Sequence, residues 1–335
     1  MAILASNYMT LADVMKQSHN GDIESDIVEI MSESDDIIKD AHFKECNDGT
    51  NNITVIRSGL PDATFRALYG FVPTSKSETQ QVKDNTGMLE AYSVVDVDLV
   101  DKAKNPNQVR LNEAKAFIEA MGQKIQKTVI YGSKTGDEKA FDGLAVRYDH
   151  ISTNKNNIGY NVVDGGGTGT KNTSVWFICW GESAVSMLYP QGSKGGLQRK
   201  DQGQVTETNQ EGAKREVYQE HFKQDVGLSV KDWRSTCRIA NIDVDKLEAG
   251  EVDILALLRK GYHKVYRHAK KQGQKLFIYA SPAIVEALDK AATDKSNVML
   301  NYKTYGGEDI AHYKNVPIRT IDQILETEEQ VKVKA

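Results

Sequence analysis

The sequence predicts a mixed α+β fold, and three patterns along its 335 residues carry that prediction. The segment 105–132 repeats apolar residues at the three- and four-residue spacing of an amphipathic helix. The segment 173–242 is rich in β-branched and aromatic residues, which is typical of strands. From residue 252 onward, helical and strand-like patterns alternate. Runs of strands in one region and alternating elements in another favour an α+β class over an all-helical or all-strand class.

The first forty residues differ from the rest of the chain. Thr10 is placed to cap a short helix, with Asp13 at its third position. The stretch that follows, GDIESDIVEIMSESDDIIKD, is strongly acidic and carries a thin stripe of isoleucines. A stripe this thin cannot form a core of its own. It predicts an arm that packs, through Ile23, Ile27 and Ile30, against another part of the chain or against a neighbouring chain.

Two predicted strands come next, joined by a long polar excursion. ITVIRS at 53–58 is typical of a strand, and GLPDATFRALYG after it has turn chemistry at Pro61 and Asp62. The segment 92–100 alternates apolar and polar residues and predicts the second strand. Because such a hairpin leaves strand edges unpaired, it requires a partner to cover it.

The remaining elements are assigned by the same criteria. Ser281 and Pro282 are placed as the cap and first position of one helix. The other assignments are a turn entering a strand at 141–148, strands at 173–181, 217–230 and 233–242, a helix at 253–271, a strand at 275–280, a helix at 281–292, a strand at 315–322 and a short helix at 323–327.

Charge and composition exclude several classes of function. The net charge of −5 and the pI near 5.9 argue against the basic face that nucleic-acid binding requires. KVYRHAKK at 264–271 is interpreted as the solvated face of a helix. No apolar run approaches the roughly 20 residues of a membrane helix, and the first residues lack the basic region of a signal peptide. The spacing of Cys46, Cys179 and Cys237 argues against a zinc site or a disulfide framework, and the last two are predicted to be buried, inert thiols.

The stretch DGGGTGTKNTSVWFICWG at 164–181 raises the question of a phosphate-binding loop. A Walker-type loop has glycine before its lysine and serine or threonine after it, at the start of a helix. Here Thr170 and Asn172 flank Lys171, and the residues that follow are β-branched and aromatic. The sequence therefore favours a flexible connection between strands over a phosphate site.

Other catalytic patterns are incomplete. GESAV resembles a nucleophile elbow, but Val185 stands where the closing glycine is required. His263 and His268 are five residues apart and diverge around a helix, which excludes them as joint metal ligands. Asp96 and Asp98 share one face of a predicted strand and could hold a cation, although a pair of surface carboxylates is the favoured interpretation. The sequence predicts no catalytic, cofactor or metal site.

A resemblance to a known family is carried by three segments. The first is LNEAKAFIEAMGQKIQKTVIYG with FDGLAVRY, which resembles the spine-helix element of tailed-bacteriophage major capsid proteins. The second is TSVWFICWGESAVSMLYPQGSKGGLQRKDQG with HFKQDVGLSVKDWRSTCRIANID, and the third is SNVMLNYKTYGGEDIAHYKNVPIRTIDQIL. Both resemble the coat proteins of short-tailed (podovirus) double-stranded DNA bacteriophages of the epsilon-fifteen kind. Together these segments cover most of residues 108–328.

The resemblance implies the Hong Kong-type capsid fold. In this chain the strand-rich element precedes the axial domain instead of following it, which implies a permuted topology. Trp176, Trp180 and Trp233 are then predicted to lie in the peripheral-domain core. The implied domains are an N-terminal arm at 1–45, an extended-loop hairpin at 46–105, a peripheral domain with the spine helix at 106–248, an axial domain at 249–326 and a C-terminal tail at 327–335.

The resemblance also implies a function in assembly and not in catalysis. A protein of this family forms hexamers and pentamers with itself and builds an icosahedral shell around double-stranded DNA, without sequence-specific binding and without a membrane. The implied location is the virion, after assembly in the host bacterial cytoplasm, and the implied further partners are a decoration protein and a portal protein. An encapsulin-like compartment that holds an enzyme cargo is the alternative, and a soluble enzyme is a third hypothesis.

The predicted functional residues are therefore contacts between subunits. In the extended loop, Arg66 and Tyr69 are expected to contact the adjacent subunit beside the turn. Lys76, Glu78 and Lys83, assigned to the polar tip of the loop, are candidates for ion pairs between capsomers. A solvated loop is the alternative interpretation for each of these residues. Three isoleucines of the arm complete the set: Ile23, Ile27 and Ile30.

Overall fold

A computed structural model describes residues 18–19, 22–23, 36–59, 61–103, 105–208, 212–269, 273–293, 300–305 and 308–334. The chain divides into two compact units. The first unit comprises residues 1–33, 88–125 and 194–225, and the second comprises 34–87, 126–193 and 226–335. Within the described ranges, no helix is both long enough and apolar enough to span a membrane.

Most of the described helices are short, and three of them begin with a capping aspartate. Asp96, Asp243 and Asp253 each accept a hydrogen bond from a backbone N–H in the first turn of the helix that follows. The α-helices are α1 (Asp36–Asp40), α2 (Val97–Asp101), α3 (Pro106–Tyr131), α4 (Leu144–Arg147), α5 (Val244–Glu248), α6 (Ile254–Val265) and α7 (Pro282–Thr293).

The strands account for most of the regular structure of the described residues. They are β1 (Ser18–His19), β2 (Asp22–Ile23), β3 (Phe43–Glu45), β4 (Asn51–Gly59), β5 (Glu78–Asp96), β6 (Val162–Asp164), β7 (Asn172–Trp180), β8 (Val185–Tyr189), β9 (Gln198–Thr208), β10 (Lys214–Val230), β11 (Thr236–Asp243), β12 (Lys275–Ala280), β13 (Leu300–Tyr305), β14 (Glu308–Tyr313) and β15 (Val316–Thr320).

The second unit is built around β7. This strand pairs antiparallel with β11, where Trp176 lies opposite Arg238, and antiparallel with β12, where Phe177 lies opposite Ile278. β12 in turn pairs in parallel with β15. All nine residues of β7 are buried, which explains why the strand has a continuous apolar run instead of alternating residues.

Helices α6 and α7 cover this sheet and complete the main core. Leu258 of α6 and Ile284 of α7 are fully buried in one cluster with Phe177 and Ile239. α6 approaches the sheet closely, because a Cβ atom at Gly261 would lie 2.8 Å from the Phe177 ring. The glycine therefore determines how near the helix packs to the strands.

The first unit combines the N-terminal part of α3, the C-terminal part of β5 and the hairpin of β9 and β10. The two hairpin strands are antiparallel, with a bulge at Gln219 and Glu220. The carboxylate of Glu220 is buried and accepts hydrogen bonds from Arg110 of α3 at 3.0 Å and from Arg199 of β9 at 2.8 Å. This pair of charge-assisted bonds connects the helix to the hairpin.

The structure confirms the predicted long helix and the strands around 53–58, 173–181, 217–230, 233–242, 275–280 and 315–322. The predicted strand at 92–100 is wrong in its bounds. It begins at Glu78 and ends at Asp96, because the Asp96 side chain accepts the Asp98 N–H at 3.0 Å and starts α2. Its polar half is a strand because it pairs with β4, which local alternation does not show.

Three other assignments are corrected. Residues 144–147, predicted to enter a strand, form α4, and the helix predicted at 253–271 ends at Val265. No helix forms at 323–327, because the Leu325 N–H donates to the Tyr131 hydroxyl and the Glu328 N–H donates to the Asn172 carbonyl. The predicted helix capped by Thr10 lies outside the described residues.

Candidate intersubunit contact surface

The candidate site is the loop tip, defined here as residues 61–77 between β4 and β5. All of its residues are exposed except half-buried Gly70. The two sides of the loop are joined where the Ser75 hydroxyl donates to the Asp62 carbonyl at 2.9 Å. Below this point β4 and β5 pair antiparallel, from Asn51 opposite Asn85 to Gly59 opposite Glu78. The loop tip is therefore held on a two-stranded stem and touches little of its own chain.

Large hydrophobic side chains dominate the loop tip. Phe65, Leu68, Tyr69 and Phe71 expose 109%, 89%, 98% and 101% of their reference areas, and Val72 exposes 52%. Five such residues lie within eight consecutive positions, and each exposes more than half of its reference area. A concentration of exposed, large apolar side chains is typical of a site of interaction with another molecule.

A tight turn shapes the centre of the loop tip. The Gly70 N–H donates to the Ala67 carbonyl at 3.0 Å, and Tyr69 has a φ of 65°. A positive φ at the third residue of a turn defines a type II geometry, where glycine or asparagine is usual. Tyr69 therefore occupies a backbone conformation that a bulky side chain disfavours.

The base of the loop is fixed by buried polar contacts. Arg147 donates to the buried carboxylate of Asp84 on β5 at 2.8 Å and to the Leu228 carbonyl at 3.2 Å. The buried Asn52 side chain of β4 donates to the Ser229 hydroxyl at 3.2 Å. These contacts hold the stem against β10 within the second unit, so the stem is fixed to the rest of that unit.

The structure places the predicted contact residues in different surroundings. Arg66 and Tyr69 are exposed in the loop tip, and Lys76 is exposed near its end. Glu78 and Lys83 belong to β5 and not to the tip, and the Lys83 ammonium lies 3.9 Å from the carboxylate of Asp48, which precedes β4.

The predicted contacts of the arm lie mostly outside the described part of the chain. Ile23 ends β2, whose partner strand is β1. Ile27 and Ile30 lie outside the described residues. The contact role of all these residues, in the arm and in the loop, stays a prediction.

The strongest feature of the loop, its exposed apolar side chains, is not among the predicted contacts. Phe65, Leu68 and Phe71 were not singled out, because turn chemistry at residues 61 and 62 led to a polar interpretation of the whole excursion. The segment FRALYGFV indicates this apolar character in the sequence, because five of its eight residues have large apolar side chains.

The glycine-rich loop is not a phosphate site. It connects β6 with β7, as predicted, and its first three glycine amides bond to acceptors of the chain itself. Gly165 and Gly167 donate to the carbonyls of Ala240 and Asn241 at 2.8 and 2.7 Å, and Gly166 donates to the Asp164 carboxylate at 3.0 Å. A phosphate loop requires free backbone amides. The glycines are required here because the loop packs closely against β11, and not because the connection is flexible, as was predicted.

We expect Gly167→Ala to lower the free energy of unfolding by about 1–3 kcal/mol, because overpacking a close contact forces the backbone to move. A Cβ atom at this position would lie 2.8 Å from the Asn241 carbonyl and closer still to the Asn172 amide oxygen. Gly169→Ala is the matched control, since its nearest neighbour would lie 3.9 Å away. Chemical denaturation measures both variants, and equal stabilities would contradict the packing explanation.

The other candidate chemical groups are structural. Asp96 caps α2 and Asp98 lies in its first turn, so they do not share a strand face as predicted. The described residues contain no cluster of three potential metal-ligating side chains. All three cysteines are buried and none is in a disulfide, and burial raises the pKa of the Cys46 thiol to about 11 and that of Cys237 to about 12. The predicted burial of Cys179 and Cys237 is confirmed, and the raised pKa of Cys237 agrees with an inert thiol, because thiolate is the reactive form.

The predicted tryptophan core is confirmed for two of three residues. Trp176 and Trp180 are buried, and Trp180 donates its indole N–H to the Tyr279 hydroxyl at 2.8 Å. Trp233 is half-buried. Its backbone carbonyl accepts the Tyr148 hydroxyl at 2.7 Å, so the residue contributes through its main chain.

Comparison with known proteins identifies the family. The family described as Major capsid protein GP7 matches residues 18–332. The chain belongs to this family of major capsid proteins. A chain from the near-atomic structure of bacteriophage Epsilon15 is 30% identical, with a TM-score of 0.76 and 99% coverage of both chains. Among curated proteins, none matches the chain.

A more distant structure shares the fold of this major capsid protein. The capsid of bacteriophage JBD30 is 11% identical and has a TM-score of 0.53, with 94% of this chain and 99% of that chain covered. The holo-SrpI encapsulin complex of Synechococcus elongatus is 10% identical and has a TM-score of 0.42, with 64% of this chain and 89% of that chain covered. The α+β class and the Hong Kong-type capsid fold are therefore confirmed, as is the resemblance to the epsilon-fifteen coat protein.

Proposed function

We propose that this major capsid protein assembles with itself into hexamers and pentamers of an icosahedral shell that encloses double-stranded DNA. The observation that supports this proposal is the loop tip, with Phe65, Leu68 and Phe71 fully exposed on a fixed stem. An apolar surface of this size is unfavourable in a free subunit and favourable when a neighbouring subunit covers it. The protein has a structural role in the virion and not an enzymatic one.

The proposal includes the predicted division of the chain into domains. The arm is residues 1–45, the extended loop 46–105, the peripheral domain with the spine helix 106–248, the axial domain 249–326 and the tail 327–335. Contacts of Arg66, Tyr69, Lys76, Glu78 and Lys83 with adjacent subunits belong to the extended loop, and those of Ile23, Ile27 and Ile30 belong to the arm.

The negative net charge of the chain supports a shell that binds the enclosed DNA only weakly. A net charge of −5 per subunit disfavours tight binding of DNA to the shell, so the genome is enclosed without sequence-specific contacts. Assembly takes place in the host bacterial cytoplasm, and a decoration protein and a portal protein are further partners.

We expect the purified full-length protein to form closed shells, visible by negative-stain electron microscopy and as a large, narrow peak in light scattering. Particles from infected cells are expected to contain nuclease-protected double-stranded DNA. Shells that hold a folded cargo protein and no nucleic acid would favour an encapsulin-like compartment. A small oligomer with a ligand-dependent melting temperature would contradict the proposal and favour an enzyme.

A further inference from the structure

We propose that His150 is a pH-sensitive switch that controls how firmly the C-terminal segment, defined here as residues 328–334, is held. As an imidazolium, the ring bonds at once to Asp149 and to Asn157 and closes the loop formed by residues 149–161. Loss of the proton opens this loop and loosens the C-terminal residues that it holds. The switch lies within one subunit, so the inference does not depend on the proposed function.

Both nitrogens of the His150 ring face oxygen atoms. Nδ1 lies 2.6 Å from Oδ1 of Asp149, and Nε2 lies 2.8 Å from Oδ1 of Asn157. The second atom is fixed as the amide oxygen, because the Gly159 N–H donates to it at 2.8 Å. A neutral imidazole has a single N–H and can donate to only one of these two acceptors. The arrangement therefore fits the charged ring, which donates from both nitrogens.

The loop encloses the ring and leaves it little freedom to move. Only 14% of the His150 side chain is exposed, and a Cβ atom at Gly159 would lie 2.6 Å from the Cδ2 atom of the ring. In the neutral ring, the lone pair of Nε2 would face the Asn157 oxygen. The Asn157 amide cannot rotate to donate to the ring without giving up the Gly159 N–H. Deprotonation therefore breaks either the contact with the ring or the turn that closes the loop.

The same loop holds the end of the C-terminal segment. The Ile151 N–H donates to the Lys332 carbonyl at 3.0 Å, and the Lys334 N–H donates to the Ile151 carbonyl at 2.9 Å. The Lys334 ammonium also donates to the second carboxylate oxygen of Asp149 at 2.8 Å. His150 stands in the chain between the two residues that make these bonds. A displacement of its ring therefore disturbs the contacts of the C-terminal segment directly.

The charged side chains on and against the loop leave Asp149 as the counter-ion of the ring. Lys334 of the C-terminal segment bonds to this carboxylate, Lys264 of α6 bonds to the Tyr160 carbonyl, and Lys155 of the loop is exposed. Partial burial raises the pKa of Asp149, but the hydrogen bonds from the ring and from Lys334 outweigh it, so this pKa lies below its ordinary value. Asp149 is therefore a carboxylate over the range, roughly pH 5–8, in which histidine side chains change their charge.

The direction of the pH dependence follows from these contacts. Because the folded chain favours the charged form of His150, the contribution of the switch to stability is present at the acid end of this range. It is lost as the pH rises and the ring gives up its proton. The C-terminal segment is thus held firmly in mildly acidic solution and loosely in mildly alkaline solution.

Amide hydrogen exchange of the full-length protein, measured by mass spectrometry at about pH 5.5 and about pH 8, tests the inference. After correction for the intrinsic pH dependence of exchange, we expect the loop and the C-terminal segment to exchange about tenfold or more faster at the higher pH. β7 is expected to be equally protected at both. His150→Gln retains a hydrogen-bonding side chain but has no charged form, so it is expected to exchange fast at both. His263→Gln, at an exposed histidine of α6, is the matched control and is expected to behave as the wild type.

A second readout observes the proton itself and needs no variant that folds. NMR of the histidine ring nitrogens is expected to show both nitrogens of His150 protonated at the lower pH, where the loop is protected. Equal exchange of the wild type at the two pH values, or a pH dependence that a folded His150→Gln retains, would overturn the inference. A protected loop around a singly protonated His150 would overturn it as well. Circular dichroism at both pH values checks folding, and if His150→Gln is unfolded, the wild-type exchange and the NMR spectra decide.

Discussion

Arg238→Met is expected to lower the free energy of unfolding by about 3–5 kcal/mol, because it leaves a buried carboxylate without its cation. Arg238 of β11 and Glu328 of the C-terminal segment are each 5% exposed, and their Nη2 and Oε2 atoms lie 2.9 Å apart. Glu328 also accepts hydrogen bonds from the hydroxyls of Tyr131 and Ser174. The pair therefore holds the C-terminal segment to the central sheet and to the end of α3.

A double-mutant cycle isolates this pair. Glu328→Leu alone is expected to destabilise the protein by a similar amount, since it leaves the guanidinium of Arg238 buried and unpaired. The double variant Arg238→Met/Glu328→Leu is expected to lose less than the sum, because two apolar side chains leave no isolated charge. Lys171→Met, which breaks the exposed pair with Asp245, is the control and is expected to change stability by less than about 1 kcal/mol. Additive losses in denaturant titrations would contradict a direct coupling.

The buried elements of this fold were predictable because their patterns are local. β7 has nine consecutive buried residues, and its sequence NTSVWFICW is apolar and β-branched enough to indicate a buried strand. The long helix α3 is indicated by its spacing of apolar residues, of which Ala114, Met121 and Ile125 are buried. In such elements, local preference and tertiary burial favour the same conformation.

Other elements depend on contacts that no local pattern reveals. The polar half of β5 is a strand because β4 pairs with it, and α2 begins where a single aspartate caps it. The C-terminal segment lacks the predicted helix because its amides bond to Tyr131 and Asn172, far away in the sequence. Nothing near Glu328 in the sequence indicates that its carboxylate is buried against an arginine ninety residues earlier.

The candidate site was predictable in location but not in chemistry. The hairpin was expected to require a partner because two strands flank a long excursion, and the loop tip is indeed exposed. Its apolar character is not evident from the turn residues, because exposure and composition are separate properties. Turn residues indicate a loop, whereas FRALYGFV indicates that the loop is apolar. Only the exposed areas of the side chains connect the two.

The double variant Phe65→Ser/Phe71→Ser is expected to abolish shell formation without unfolding the subunit. Both rings are fully exposed, so their loss is expected to change the stability of the subunit by less than about 0.5 kcal/mol. In a contact between subunits, each aromatic anchor contributes about 2 kcal/mol. Losing both weakens each contact by about 4 kcal/mol, or roughly a thousandfold in its association constant. Because every subunit carries one loop, the effect is repeated throughout the shell.

The matched control, Phe65→Leu/Phe71→Leu, retains apolar area at both positions and is expected to form shells, at a subunit concentration raised by about tenfold or less. Sedimentation of the assembly reaction over a range of concentrations measures both variants, and circular dichroism checks that each subunit is folded. If the serine variant forms shells as readily as the leucine variant, the loop tip is a solvated surface and the contact between subunits lies elsewhere. If only the serine variant stays unassembled while folded, the contact depends on the apolar area of the tip and not on the presence of the loop alone.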